Sequence, residues 1–274
     1  MMIMRFEVEG RRLNADFAQP LSIAIPLDFN GPQPSFYDAP AAAARPFSVA
    51  GFIGDTRAGG SCNCEQLTLV PHCNGTHTEC VGHVTDDRVA VAERLRGGIV
   101  LALLVSLRPV AAGSTREDSD PRPEASDLLV TAEGLTRACA AHAGPAPRAL
   151  IVRTLPCSAD QLTHAYRGDA PAPYLSRQAA DWLVARSIEH LVLDLPSADR
   201  ADDLGRLTAH RLFFGLPAGG RHARDAGRPA ASITELAWIA PTIHDGWYLL
   251  DLQIPAFLSD AAPSRPLLYP VHFE

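Results

Sequence analysis

HCNGTHTECVGH, residues 72–83, carries three histidines, one glutamate and two cysteines in twelve positions. The whole chain of 274 residues has only ten histidines and six cysteines, so side chains able to ligate a metal are concentrated here. LTLV at 67–70 reads as a strand that Pro71 ends. His72–His77 then reads as a turn, with Gly75 free to bend sharply. In His77-Thr-Glu79 the alternation of an extended segment puts imidazole and carboxylate on one side. Imidazole and carboxylate donors together suit Zn, Mn or Fe. A histidine that stands near such an ion without binding it can move protons, and His83, four residues after Glu79, is placed for that. One isolated histidine would be read as a loop residue satisfied by backbone groups; three with a glutamate favour a metal site.

Outward from this stretch, short apolar runs read as strands: LSIAI (21–25), QLTLV (66–70), IVLALLVS (99–106), ALIVRT (149–154), HLVLDL (190–195) and WYLLDLQI (247–254). Two helices stand out. Thr131 caps one, with Glu133 in its first turn and GPAP at 144–147 ending it. Ser176 caps the other, and Ala179, Trp182 and Leu183 then share a face. Each helix is followed by an apolar strand, which argues for an α/β domain with parallel strands in part of its sheet. HLVLDLPSADR reads as a buried strand running into a loop at Asp194–Ser197, where α/β folds often place ligands. The alternative role for Asp194 is to cap the turn that follows. Residues 108–127 are polar and rich in Pro, Ser and Asp, and read as an exposed loop within one domain spanning 1–274.

Composition removes several classes of function. No lysine occurs, so a lysine Schiff base and a phosphate-loop lysine are excluded. Net charge is −7 with no basic cluster, which argues against nucleic acid. The run IVLALLV at 99–105 is too short to span a bilayer, which takes about 20 residues, so no membrane partner is expected. The start, MMIMRFEVEG, shows no secretory leader, and six cysteines make no disulfide framework; a cytoplasmic location with free thiols is the expectation. No G-x-S-x-G elbow appears. GFIGDTRAGG at 51–60 has the wrong spacing for a phosphate cradle and reads as a turn. Cys80 reads as a buried packing residue. Phe36 and Tyr37 are candidates for an aromatic wall facing a planar substrate.

Residues 72–83 resemble the signature H-x-G-T-H-x-D-x-P-x-H of the putative cyclase family, the kynurenine formamidase-like metal-dependent hydrolases. The resemblance extends to LSIAIPLDFNGPQPSFYDAP near the start, to HLVLDLPSADR, to AHRLFF (209–214) and to SITEL (232–236). The tail DGWYLLDLQIPAFLSDAAPSRPLLYPV is similar to a branch in which T-H-T-E-C-V-G-H is the usual form. The resemblance implies a mixed, partly barrel-like β-sheet flanked by helices. It implies one or two divalent ions, Zn or Mn, with His77, Glu79, His210 and Glu235 as ligands and His83 as catalytic acid/base. Ser197, in the D-x-P-S loop, joins Phe36 and Tyr37 as a substrate contact. The family's first ligand falls at position 73, which is Cys here, with His72 one residue earlier; Cys73 binds as thiolate, or His72 reaches in, or the ligand is lost and the site weakened. Between His210 and Glu235 the insert GLPAGGRHARDAGRPAA reads as a loop over the site or a subunit contact.

The implied activity is hydrolysis of a C–N bond in a small-molecule amide, formamide or lactam, by a homodimer or homotetramer. The contrasting expectation is a non-catalytic or metal-free descendant that binds a small molecule or a protein partner on the same scaffold.

Overall fold

Four of the apolar runs lie side by side at the centre of one large sheet. The computed structural model describes residues 2–8, 10–95, 98–167 and 172–274. The sheet has 11 strands. In chain order they are β1 (Ile3–Val8), β2 (Arg11–Asp16), β3 (Leu21–Ser22), β4 (His77–Glu79), β5 (Ile99–Leu107), β6 (Ala149–Thr154), β7 (His190–Leu193), β8 (Ser232–Glu235), β9 (Gly246–Asp251), β10 (Ala261–Pro263) and β11 (Leu267–Phe273). Across the sheet the order is β1-β2-β11-β9-β5-β6-β7-β8-β4-β10, with β3 on β11.

Strands β5 to β8 are parallel to one another, and β9 and β4 flank them antiparallel. All six residues of β6 and all four of β7 are buried. A strand covered on both faces is apolar over most of its length, which is why these runs are continuous rather than alternating; the buried polar residues Arg153, Thr154 and His190 stand at strand ends and are hydrogen-bonded. Helices α2 (Ala132–Ala140), α3 (Arg177–Ala185) and α4 (Thr208–Phe213) supply the crossovers, and the short α1 (Val91–Arg94) precedes β5. Thr131 Oγ1 accepts from Gly134 N at 3.0 Å, and Ser176 Oγ accepts from Ala179 N at 2.9 Å, so both expected caps form.

Some boundaries move. LSIAI contributes only β3 and an isolated bridge from Ala24 to Ala237. QLTLV yields Glu65–Thr68, which is exposed throughout and pairs with Ala43–Pro46 outside the main sheet. Residues 108–127 include the short strand Val110–Ala111 and a turn at Ala112–Ser114. Glu117 reaches out of that segment to accept from Ala132 N and Glu133 N, so it anchors the start of α2. No helix among the described residues is long and apolar enough to cross a membrane, and all six cysteines are free.

Candidate metal centre and cavity

Strand β4 is three residues long, and its register builds the site. Glu235 of β8 lies directly opposite His77, and Thr234 lies opposite Thr78. Side chains alternate across a strand, so His77, Glu79 and Glu235 share one face. On the other face the hydroxyls of Thr78 and Thr234 bond at 2.8 Å. On its second edge β4 pairs with β10, placing Ala261 opposite Glu79. The preceding Thr76 Oγ1 accepts from Ile25 N at 2.9 Å and donates to the Leu236 carbonyl, which ties the motif to the amino-terminal segment and to the end of β8.

The residues after β4 turn back at once. Cys80 Sγ accepts from Gly82 N at 3.4 Å, starting a tight turn over Val81–Val84. A Cβ on Gly82 would stand 2.3 Å from the Val89 carbonyl oxygen, so only glycine fits there. This turn returns His83 towards Glu79, at 3.8 Å from His83 Nε2 to Glu79 Oε2.

Three imidazoles lie within 4 Å of Glu79, which is itself wholly buried. His72 Nδ1 lies 3.1 Å from Glu79 Oε2, and His210 Nε2 lies 2.9 Å from Glu79 Oε1. Glu235 stands between the imidazoles of His77 and His210, 3.4 Å from His77 Nε2 and 3.3 Å from His210 Nε2. Ala198 N donates to Glu235 Oε1 at 2.6 Å. His77 Nδ1 faces the Gly75 carbonyl at 3.0 Å; a carbonyl only accepts, so Nδ1 carries the hydrogen and Nε2 offers a lone pair. His210 Nδ1 likewise donates to Asp199 Oδ2 at 2.7 Å. Asp199 also accepts from Ala209 N and His210 N, fixing the start of α4 and the ring it carries together.

These donors fit a divalent cation. His77 Nε2, His210 Nε2 and both oxygens of Glu79 are buried without a hydrogen-bond partner among the described residues. Unpaired buried polar atoms are costly, and four in one cluster mark a missing positive partner. Ligand atoms about 2 Å from a tetrahedral ion lie roughly 3.3 Å apart, close to the separations seen here. The sets His72–His77–Glu79 and Glu79–His83–His210 each bring their ligand atoms within 4.8 Å of one another. Nδ1 of His77 and of His210 is engaged by an oxygen acceptor, the arrangement that orients imidazole ligands around metals.

The charge balance agrees. Burial opposes ionisation of Glu79, yet the imidazoles of His83, His210 and His72 hold its carboxyl well below the ordinary range. Burial likewise opposes charge on His72, but the neighbouring carboxylates of Asp260 and Glu79 push it up to about 10.

Beside the cluster opens a cavity of 530 Å³. Phe36, Tyr37 and Ser197 line it with His83 and with two of the candidate donors, His72 and Glu235, so the three expected substrate contacts share one space with the edge of the cluster. Phe36 and Tyr37 are in contact, with ring centroids 4.1 Å apart. Tyr37, Leu204 and Leu207 of this wall, and Leu236 just after Glu235, all have positive φ. Non-glycine residues held in the left-handed region cost energy and gather at functional sites. Cys73 also lines the cavity, but belongs to none of the converging donor groups among the described residues. Burial, and then the charge of Glu235, raise its thiol, which opposes a thiolate. The turn after Pro71, in which Cys73 N and Asn74 N both bond the Val70 carbonyl, swings His72 to Glu79 instead.

Asp194 faces away from this space. Its carboxylate accepts from Thr154 N at 2.8 Å and from Thr154 Oγ1 at 3.0 Å, fastening β7 to β6. The insert between His210 and Glu235 docks on the loop after His83, through Arg221 with Asp86 and Ala223 N with Asp87; none of its residues lines the cavity.

Sequence reasoning missed two residues. Asp199 sits in the quoted PSADR loop, where an acid ahead of a helix bearing a histidine was a usable signal. Asp260 contacts both His72 and His83, yet lies 188 positions from His72 in an unremarkable Ser-Asp-Ala-Ala-Pro stretch. Only the pairing of β10 with β4 brings it there.

The Putative cyclase family profile matches residues 16–200, more than half of the chain, and the chain belongs to that family. Solved structures share the fold across their length. Isatin hydrolase A from Labrenzia aggregata bound to benzyl benzoate superposes with a TM-score of 0.59 at 17% identity, covering 92% of this chain and 93% of the other. A potential metal-dependent hydrolase with cyclase activity gives 0.59 at 14% identity, covering 92% and 97%. A predicted metal-dependent hydrolase from Bacillus stearothermophilus gives 0.56 at 14% identity, covering 92% and 98%. At these identities the likeness is one of fold. A search of curated proteins finds no match.

Proposed function

We propose that this protein is a metal-dependent hydrolase of a C–N bond in a small neutral amide, formamide or lactam. The observation that carries the reading is the buried convergence of His77, Glu79, His210 and Glu235, with donor atoms left unpaired beside an aromatic-walled cavity. His77, Glu79, His210 and Glu235 hold one or two Zn or Mn ions, and His72 rather than Cys73 completes the set. Such an ion, when bound, supplies Lewis acidity and brings the ionisation of water towards neutral pH.

The chain does the rest. His83, with a side chain 27% exposed, sits between the cluster and the cavity. It takes a proton from water and returns it to the leaving nitrogen. Phe36 and Tyr37 hold a planar acyl group, and Ser197 offers a hydroxyl to it. Among the described lining residues there is no arginine, whereas Asp202 and Asp203 are present. With no arginine among them to pair a substrate carboxylate, neutral formamides and lactams such as isatin are the substrates this reading favours.

The test is a panel of formamides and lactams, neutral and carboxylated, offered to protein loaded with Zn or Mn. Hydrolysis of a neutral member is expected. His83→Ala should keep the metal and lose about 10²-fold or more in kcat. Metal retention with no turnover on any member would instead identify a binding protein. Full activity in His83→Ala would remove the mechanism.

A further inference from the structure

Asp260 joins the metal-binding and proton-transferring halves of the site through one carboxylate oxygen. Its Oδ2 lies 2.8 Å from His72 Nε2 and 3.4 Å from His83 Nδ1. The two rings stack on each other, with centroids 4.2 Å apart and planes 29° from parallel. The Asp260 backbone is fixed independently, since its carbonyl accepts from Cys80 N at 3.1 Å and the next residue is paired with Glu79. We infer that Asp260 is a positioning residue that sets the tautomer and the orientation of both His72 and His83.

The argument is one of donors and acceptors. A carboxylate can only accept, so each ring nitrogen facing it carries a hydrogen. With Nε2 donating to Asp260, His72 has only Nδ1, 3.1 Å from Glu79 Oε2, to offer a cation held beside Glu79, and His83 keeps Nε2 for the cluster and the cavity, 3.8 Å from Glu79 Oε2. Free imidazole in water prefers the other tautomer for a ring with the geometry of His83, with the hydrogen on Nε2, and that form could not accept a proton from water in the site. Asp260 thus does for the acid/base what a buried aspartate does for the histidine of a serine protease. The same oxygen ties that ring to a metal ligand, so a shift in one moves the other.

The role assigned to His83 rests on the hydrolase reading; the tautomers and the part played by His72 do not. The test is nitrogen-15 NMR of the histidine side chains in zinc-loaded protein above neutral pH, with wild type beside Asp260→Asn. Wild type should show His83 with its hydrogen on Nδ1, and Asp260→Asn should shift it towards Nε2. Zinc affinity, measured by competition with a chelator, should fall about 10- to 100-fold in the variant, as for other partners of metal-bound histidines. A wild-type His83 with its hydrogen on Nε2 would overturn the inference without any variant. Unchanged tautomer and zinc affinity in a folded Asp260→Asn would overturn it equally. Correct tautomers in a protein that hydrolyses nothing would leave this inference standing and sink the hydrolase reading alone.

Discussion

Two buried carboxylates show how one residue type is put to opposite uses. Glu79 is surrounded by imidazoles that hold it ionised, while Asp194 meets only neutral donors and burial pushes its carboxyl up to about 7. The sign for stability follows from that shift. The native pKa of Asp194 lies above its ordinary value of 3.8, so between the two the native state binds more protons than the unfolded chain. Its contribution is greatest below the lower value and is lost as pH rises towards about 7. Asp194→Asn should remove that part of the decline, which urea titrations of both proteins across this range will show. At this scale the sequence was most readable where chemistry is local. His77 and Glu79 follow from strand alternation, whereas the tight turn over Val81–Val84 that returns His83 was not read from the sequence. Cys73 and His72 could not be separated, because the choice between them depends on a turn closed by the Val70 carbonyl. Asp260 carries no local mark at all.

Elements were legible where periodicity and caps agree. The runs at 99–106 and 149–154 became β5 and β6, and Thr131 and Ser176 cap their helices as expected. QLTLV failed to join the main sheet because its alternating side chains find no covering layer and stay exposed. Glu117, in a segment that looks like plain loop, holds Ser176 Oγ as well as the first amides of α2. Ser176→Ala should therefore cost about 1 kcal/mol or somewhat more, since it removes the α3 cap and a donor to Glu117. A lower urea midpoint with an unchanged slope will show this. An unchanged midpoint would mean that water replaces the cap without loss.

Across the whole molecule, the donor set joins parts that the chain keeps far apart. His72 comes from a turn, His77 and Glu79 from β4, His210 from α4 and Glu235 from β8. A cation bound by them cross-links the end of the parallel sheet, the helical layer and the motif. Removing it with a chelator should lower Tm, and returning Zn or Mn should restore it. At a free ion concentration of 100 times Kd, the stabilisation is about 2.7 kcal/mol. Ligand histidines must be free of protons to bind, and Asp260 and Glu79 push His72 up to about 10, so affinity should fall as pH falls. Isothermal titration at two pH values, with proton release read from buffers of different ionisation enthalpy, measures this. The strand order that assembles these donors was not legible, since β4 is inserted between β8 and β10, both of which follow it by well over a hundred residues.

The most direct measurement is the metal content of protein purified without a metal-binding tag, by elemental mass spectrometry, for wild type and His77→Ala. One or two equivalents of Zn or Mn per wild-type chain, lost in His77→Ala, is the expected result. No bound metal in wild type, even after incubation with excess Zn and Mn, would contradict the account.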